Sequence, residues 1–186
     1  SQVVPRLHRL VRQTAKSVGK QAGLEVYGAN EELDRNILER MLAPLEHILR
    51  NAVSHGIESA ADRRTADKPE TGRISVYVGR EGTDVVLNAV DDGAGMNLEA
   101  IRQRAIERGL LKQGAEVSDD DVMQFVLTPG FSTAAEVTQV AGRGVGMDVV
   151  ASGIKQLGGS LEMVSQPGRG TSFTIRLPLT LAIIEA

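Results

Sequence analysis

Leu7, Leu10, Val11, Thr14 and Val18 recur at helical spacing near the start of the chain, while Arg6, Arg9, Arg12, Lys16 and Lys20 fill the other side. This predicts an amphipathic lead-in helix whose basic side is either a solvated face or a face for an acidic partner. Gly23 opens a short strand over residues 24–27. A long helical periodicity then runs over residues 33–55, interrupted by Pro44, so the helix is predicted to break near Ala43 and restart with Pro44 in its first turn. In the second half His47, Asn51 and His55 lie four apart and are expected to line one wall.

A polar loop bearing Pro and Gly occupies residues 58–72. Beyond it Ile74, Val76 and Val78 alternate with Arg73, Ser75 and Tyr77, and after a turn at Gly82 residues 84–90 continue as strand, predicting a hairpin. Asn97 caps a helix carrying Leu98, Ile101 and Ile106 that stops at Gly109, and Ser118 starts another with three aspartates at its positive end. Pro129-Gly130 ends that one. Residues 131–141 are small and polar and predict a mobile loop. From Gly144 the pattern is helical as far as Gly158-Gly159, and strands at 161–165 and 171–177 close the chain around a turn at 166–170. Strands joined by short turns imply a mixed, mostly antiparallel sheet with helices on one face, which is an α+β class in two layers.

The chain has 186 residues, 41% hydrophobic and 24% charged, enough for one buried core and too apolar for a disordered segment. A net charge of -3 gives no basic excess for nucleic acid. The absence of cysteine fits a reducing compartment such as the cytoplasm, and no apolar run is long enough to span a membrane. The chain begins without methionine and ends within an apolar run, so a fragment of a longer protein is expected.

Three places carry candidate chemistry. Asp91 follows an apolar strand and opens Asp91-Asp92-Gly93-Ala94-Gly95-Met96; its acceptor-only carboxylate suits the exocyclic amine of adenine, although Asp-Gly also makes an ordinary turn. A calcium loop starting there would need glutamate at its twelfth position, which is Arg102. Gly142, Gly144 and Gly146, ahead of Met147, form a glycine loop feeding a helix, suited to a triphosphate or to a plain hinge. The dinucleotide spacing and the Walker lysine are both missing. His47 and Asn51 are able to converge on a cation bridging phosphate oxygens, or to be ordinary helix residues.

The stretches 45–58 (LEHILRNAVSHGIE), 91–96 (DDGAGM), 129–133 (PGFST), 142–150 (GRGVGMDVV) and 168–178 (GRGTSFTIRLP) resemble the N, G1, F, G2 and G3 boxes of the GHKL ATPase superfamily. More narrowly they resemble the kinase domain of CheA-type chemotaxis histidine kinases over nearly the whole chain. Residues 4–21 are also similar to the hybrid branch of type IV pilus systems. The resemblance implies a lead-in helix over 1–22 after a dimerisation domain, an ATP-binding domain over 23–178, and over 179–186 the start of a junction to a CheW-like domain.

It also implies roles. Asn51 would bind Mg2+, with His47 placing the ion or the γ-phosphate. Asp91 would hold the adenine amine, and Gly93, Gly95 and Met96 would shape the base pocket. Phe131, Ser132 and Thr133 belong to the lid, Gly142, Gly144, Gly146 and Met147 to the phosphate side, and Thr171 to the adenine side. The family's usual acid before His55 is Ser54 here. The implied activity is transfer of the ATP γ-phosphoryl group to a histidine of a separate phosphotransfer domain. A CheW-like coupling protein, a receptor array and a response regulator are the implied partners, with a dimeric parent and a monomeric fragment. None of His8, His47 and His55 lies in a bundle-like acceptor segment, so no self-phosphorylation is expected. An ATPase clamp of the Hsp90, gyrase B or MutL kind and a non-catalytic nucleotide scaffold are the alternatives.

Overall fold

The computed structural model describes residues 2–132 and 146–180. Helix α1 (Val3–Ser17) leads into strand β1 (Ala22–Tyr27), then α2 (Glu32–Arg40), α3 (Leu42–Asn51) and the short α4 (Ala60–Thr65). Strands β2 (Gly72–Glu81) and β3 (Asp84–Asp91) follow, then α5 (Leu98–Glu107), α6 (Asp119–Gln124), α7 (Met147–Gln156), β4 (Ser160–Gln166) and β5 (Gly170–Pro178). The five strands form one sheet in the order β1-β2-β3-β5-β4. Only β1 and β2 pair in parallel; the other neighbours are antiparallel. This is the mixed α+β sheet that the hairpin spacing predicts.

Alternation decides which side of the sheet is covered. Val85, Leu87 and Ala89 of β3 are buried in one row with Ile74 and Val76 of β2 and Phe173, Ile175 and Leu177 of β5. On the opposite face Tyr27 and Tyr77 stack 5.0 Å apart and stay half exposed. Period two also carries the buried row on to Asp91, two residues past Ala89, and to Thr171, two before Phe173. The apolar register therefore delivers one carboxylate and one hydroxyl to the core side of neighbouring strand ends.

The lead-in helix is part of this core. Val3, Leu7, Val11 and Ala15 of α1 are buried in the same cluster as the strands, while Val18 is exposed. The helix break falls at Met41, between α2 and α3. Pro44 has no N–H to give the Arg40 carbonyl and its ring crowds that oxygen, so continuity is lost a turn before the proline. α3 in turn runs into a π-helical turn, Ala52–Gly56. The segment expected as a loop over 58–72 contains α4, with the Ser59 hydroxyl accepting from the Asp62 N–H at 3.2 Å. Its inward residue is Arg63, which an apolar periodicity does not count.

Asn97 and Ser118 cap α5 and α6 as predicted, accepting from Ala100 N–H at 3.0 Å and Asp121 N–H at 3.2 Å. The first part of the expected mobile loop is anchored: Phe131 is buried, with the Arg104 guanidinium 5.7 Å from its ring centre. Residues 133–141 of that expectation lie outside the described residues.

Candidate nucleotide-binding cleft

A cleft of about 700 Å3 opens between the helix layer and the sheet end that carries Asp91. Asp91, Gly95, Met96 and Thr171 line one side. Asn51 and His55 stand on the wall made by α3 and its π turn, and Phe131, Ser132, Gly146 and Met147 on the side made by the start of α7. Ile101, Val126 and Phe173 supply apolar lining. A mostly apolar cavity with a few convergent polar groups is the usual form of a small-molecule site.

Asp91 is 6% exposed, and burial pushes its carboxyl up to about 6. N–H groups of Gly93 and Thr171 oppose that rise, and the charges of Asp92 and Glu58 add to it. The Gly93 N–H donates to Asp91 Oδ1 at 2.9 Å. Gly93 does not line the cleft; it packs behind Asp91, where a Cβ would stand 2.0 Å from the Gly56 carbonyl oxygen. Gly95, at φ +78°, closes against the Gln166 carbonyl. The Met96 N–H donates to Ser165 Oγ at 2.7 Å, and Ser165 and Thr171 hydroxyls pair at 3.0 Å. Ser165 thus ties the glycine loop to the strand end, although nothing in its own sequence context marks it.

At the other end Gly146 precedes the first turn of α7, and a Cβ there would strike the Ser132 hydroxyl. That hydroxyl donates to Asp148 Oδ1 at 2.9 Å, which holds Ser132 against the helix. Asp148, buried and absent from the sequence expectation, is visible only once α7 is in place. Thr133, Gly142 and Gly144 lie outside the described residues.

His47 does not share the wall of Asn51 and His55. It lines a second cavity of about 460 Å3, where Ala43, Pro44 and Arg50 of α3 face Val150 and Ile154 of α7. Two causes combine: residues four apart drift about 40° around a helix, and α7 leans on the side to which that drift carries His47. Its Nε2 is buried without a hydrogen-bond partner among the described residues. Burial, and then the nearby Arg50 charge, hold His47 below the usual imidazole range, so it is neutral.

Residues 42–181 match the family of histidine kinase-, DNA gyrase B- and HSP90-like ATPases. The chain belongs to that ATPase family. It is 44% identical over 183 residues to the chemotaxis protein CheA of Klebsiella aerogenes, covering 98% of this chain and 28% of that protein. The sensor histidine kinase CheAY of Helicobacter pylori is 42% identical over 186 residues, covering 99% of this chain and 23% of that protein. The ATPase chain thus spans less than a third of these relatives' length. Among solved structures, the histidine kinase domain of a blue-light activated kinase from Erythrobacter litoralis superposes with a TM-score of 0.54 at 14% identity. That likeness covers 99% of this chain and 69% of that one and shows the ATPase fold.

Membership in this family implies that the domain uses ATP. Among the described residues no cluster of three His, Asp or Glu side chains is arranged to hold a metal ion. Magnesium needs no such cage: it keeps several waters and takes one or two protein groups beside the phosphates. The Asn51 carboxamide in the cleft wall fits that demand, and His47, facing the second cavity, is less well placed for it. No described helix is long and apolar enough to cross a membrane.

Proposed function

We propose that the chain is the catalytic domain of a cytoplasmic, chemotaxis-type histidine kinase that transfers the γ-phosphoryl group of ATP to a histidine on a separate phosphotransfer domain. The observation that carries this is the placement of Asp91 and Asn51 in one cleft, although they are far apart in the chain. Asp91 accepts from the adenine amine, Thr171 supports that side, and Gly95 and Met96 border the base. Phosphates would lie toward Gly146 and Met147, where α7 begins and its leading N–H groups and dipole favour an anion. By their motifs Gly142 and Gly144 would meet the phosphates and Thr133 would belong to the lid.

Asn51 would hold Mg2+ against the phosphates, and the ion when bound neutralises charge on the transferred group. In the transfer the bond from the γ-phosphorus to the ADP oxygen breaks and a phosphorus–nitrogen bond to the acceptor imidazole forms. A neutral imidazole is already a nucleophile, so the domain's own residues need only bind, orient and exclude water. By its motif His47 would help to place the ion or the γ-phosphate, but it faces the second cavity, so Asn51 is the better placed of the two.

Water-driven ATPases of this family are served by a glutamate four residues before the asparagine. That position is His47 here, and neighbouring Glu46 is committed to Arg6 at 3.0 Å and Arg50 at 3.4 Å. The geometry therefore favours transfer over hydrolysis. Through a longer, dimeric parent the domain would work with a CheW-like coupling protein, a receptor array and a response regulator.

The test is phosphotransfer from labelled ATP to a purified phosphotransfer domain, with Asn51→Ala and Asp91→Ala beside the unaltered protein. Label on the acceptor with the unaltered protein only is expected. Equal inertness of all three folded proteins would leave a nucleotide scaffold, and brisk hydrolysis without transfer would leave an ATPase clamp.

A further inference from the structure

The loop that begins at Asp91 is gripped from behind by two cations that the chemistry above does not use. Arg63, on α4, is fully buried. Its Nε donates to the Pro69 carbonyl at 2.6 Å, Nη1 to Glu58 Oε1 at 2.9 Å and to the Asp92 carbonyl at 3.2 Å, and Nη2 to Asp92 Oδ2 at 3.1 Å. Lys68 Nζ donates to Glu58 Oε2 at 2.7 Å, to the Asp92 carbonyl at 3.1 Å and to the Gly93 carbonyl at 2.9 Å. All three ammonium protons therefore have acceptors. Two cations balance two carboxylates, Glu58 and Asp92.

Such a cluster is a poor way to gain stability, because a well-packed apolar set would serve the fold as well. What distinguishes it is its target, the main-chain carbonyls of the base-pocket loop. The Asp92 carbonyl and the Gly93 N–H belong to one planar peptide unit and point in opposite directions. Arg63 and Lys68 hold the carbonyl end, while the N–H end donates to Asp91 Oδ1. Fixing one end of a rigid plate aims the other. Asp92 Oδ1 also accepts from the Arg73 N–H at 2.8 Å, so the plate is anchored to the start of β2 as well.

We infer that Arg63 and Lys68 are positioning residues for nucleobase selection, turning the Asp92–Gly93 peptide so that Asp91 presents its carboxylate to an exocyclic amine. This rests on the proposal that Asp91 reads adenine. Without the clamp the peptide loses the hold on its carbonyl end, and Asp91 is less firmly oriented. The cost falls on recognition of the base, and phosphate contacts at the far end of the cleft are spared.

The experiment is calorimetric titration of ATP and GTP into the unaltered protein, Lys68→Met, Lys68→Arg and Arg63→Met, with melting temperatures for each. Arg63→Met leaves two carboxylates without their buried cation and is expected to unfold, so Lys68 decides. Lys68→Met should stay folded, lose about tenfold in ATP affinity and keep its GTP affinity, so that base preference narrows by the same factor. Lys68→Arg, which offers donors to the same carbonyls, should restore the preference. A folded Lys68→Met with unchanged preference, or with parallel losses for both nucleotides, would overturn the clamp. An unaltered protein that binds ATP without preferring it over GTP would instead remove the Asp91 reading on which the clamp depends.

Discussion

Replacing Asp91 by asparagine should stabilise the nucleotide-free protein while crippling nucleotide binding. Raising this carboxyl from 3.8 to about 6 means that its ionised form costs the fold about 3 kcal/mol at pH 7. Asparagine removes the charge and keeps an oxygen for the Gly93 N–H, but turns an NH2 group toward the Thr171 N–H, forfeiting about 1 kcal/mol. The balance is a gain of about 2 kcal/mol, or a melting temperature higher by about 4–8 °C for a domain of this size. The loss of a charge-assisted bond to the base is worth roughly 10- to 150-fold in ATP affinity. The sign with pH follows from a raised folded value. Below 3.8 both states are protonated and the penalty is absent; it builds as pH rises and is complete above about 6. Near pH 4.5 only about 1 kcal/mol of it remains, so the lost hydrogen bond offsets it and the two proteins should melt together. Scanning calorimetry without nucleotide at the two pH values is the assay. An Asp91→Asn protein that melts lower at pH 7, or whose increment is the same at both pH values, would refute the buried-charge argument.

Leu7→Ala, at a fully buried position of α1, should cost about 2–5 kcal/mol in urea unfolding, because that helix belongs to the common core; a cost near zero would make it a detachable arm. Gly170→Ala should lower stability by more than about 3 kcal/mol, since residue 170 has φ +121° and a Cβ there would stand 1.9 Å from the Asp91 carbonyl oxygen. Circular dichroism melts would show it. Asn51→Ala should abolish the increment that Mg2+ adds to ADP affinity and leave magnesium-free binding unchanged, as read by titration with and without chelator; equal losses in both conditions would mean that Asn51 touches the nucleotide alone.

Much of this molecule is legible in residue order because its sheet faces and caps depend on local rules. Alternation in β2, β3 and β5 marks the buried row, and the same period two places Asp91 at its end. Asn97 and Ser118 announce α5 and α6 by their own side chains. What escaped has a common cause: it depends on which surfaces meet. α4 is hidden because its core-facing residue is a charged arginine whose partners, Glu58, Pro69 and Asp92, are gathered from three segments. His47 shares the spacing of Asn51, yet the docking of α7 decides which cavity it faces. Asp148 and Ser165 acquire meaning only through Ser132 and Met96, which are brought to them by tertiary packing.

The last of the described strands in chain order, β5, is inserted between β3 and β4 in the sheet. A ribosome delivering this domain from its amino end must therefore release it beyond residue 171 before Asp91 meets Thr171. Until then β3 lacks one neighbour and presents an open hydrogen-bonding edge of eight residues, Asp84–Asp91. Premature termination just short of residue 170 would produce a chain with most of its helices and no receptor for adenine, and one inclined to pair with other unfinished copies.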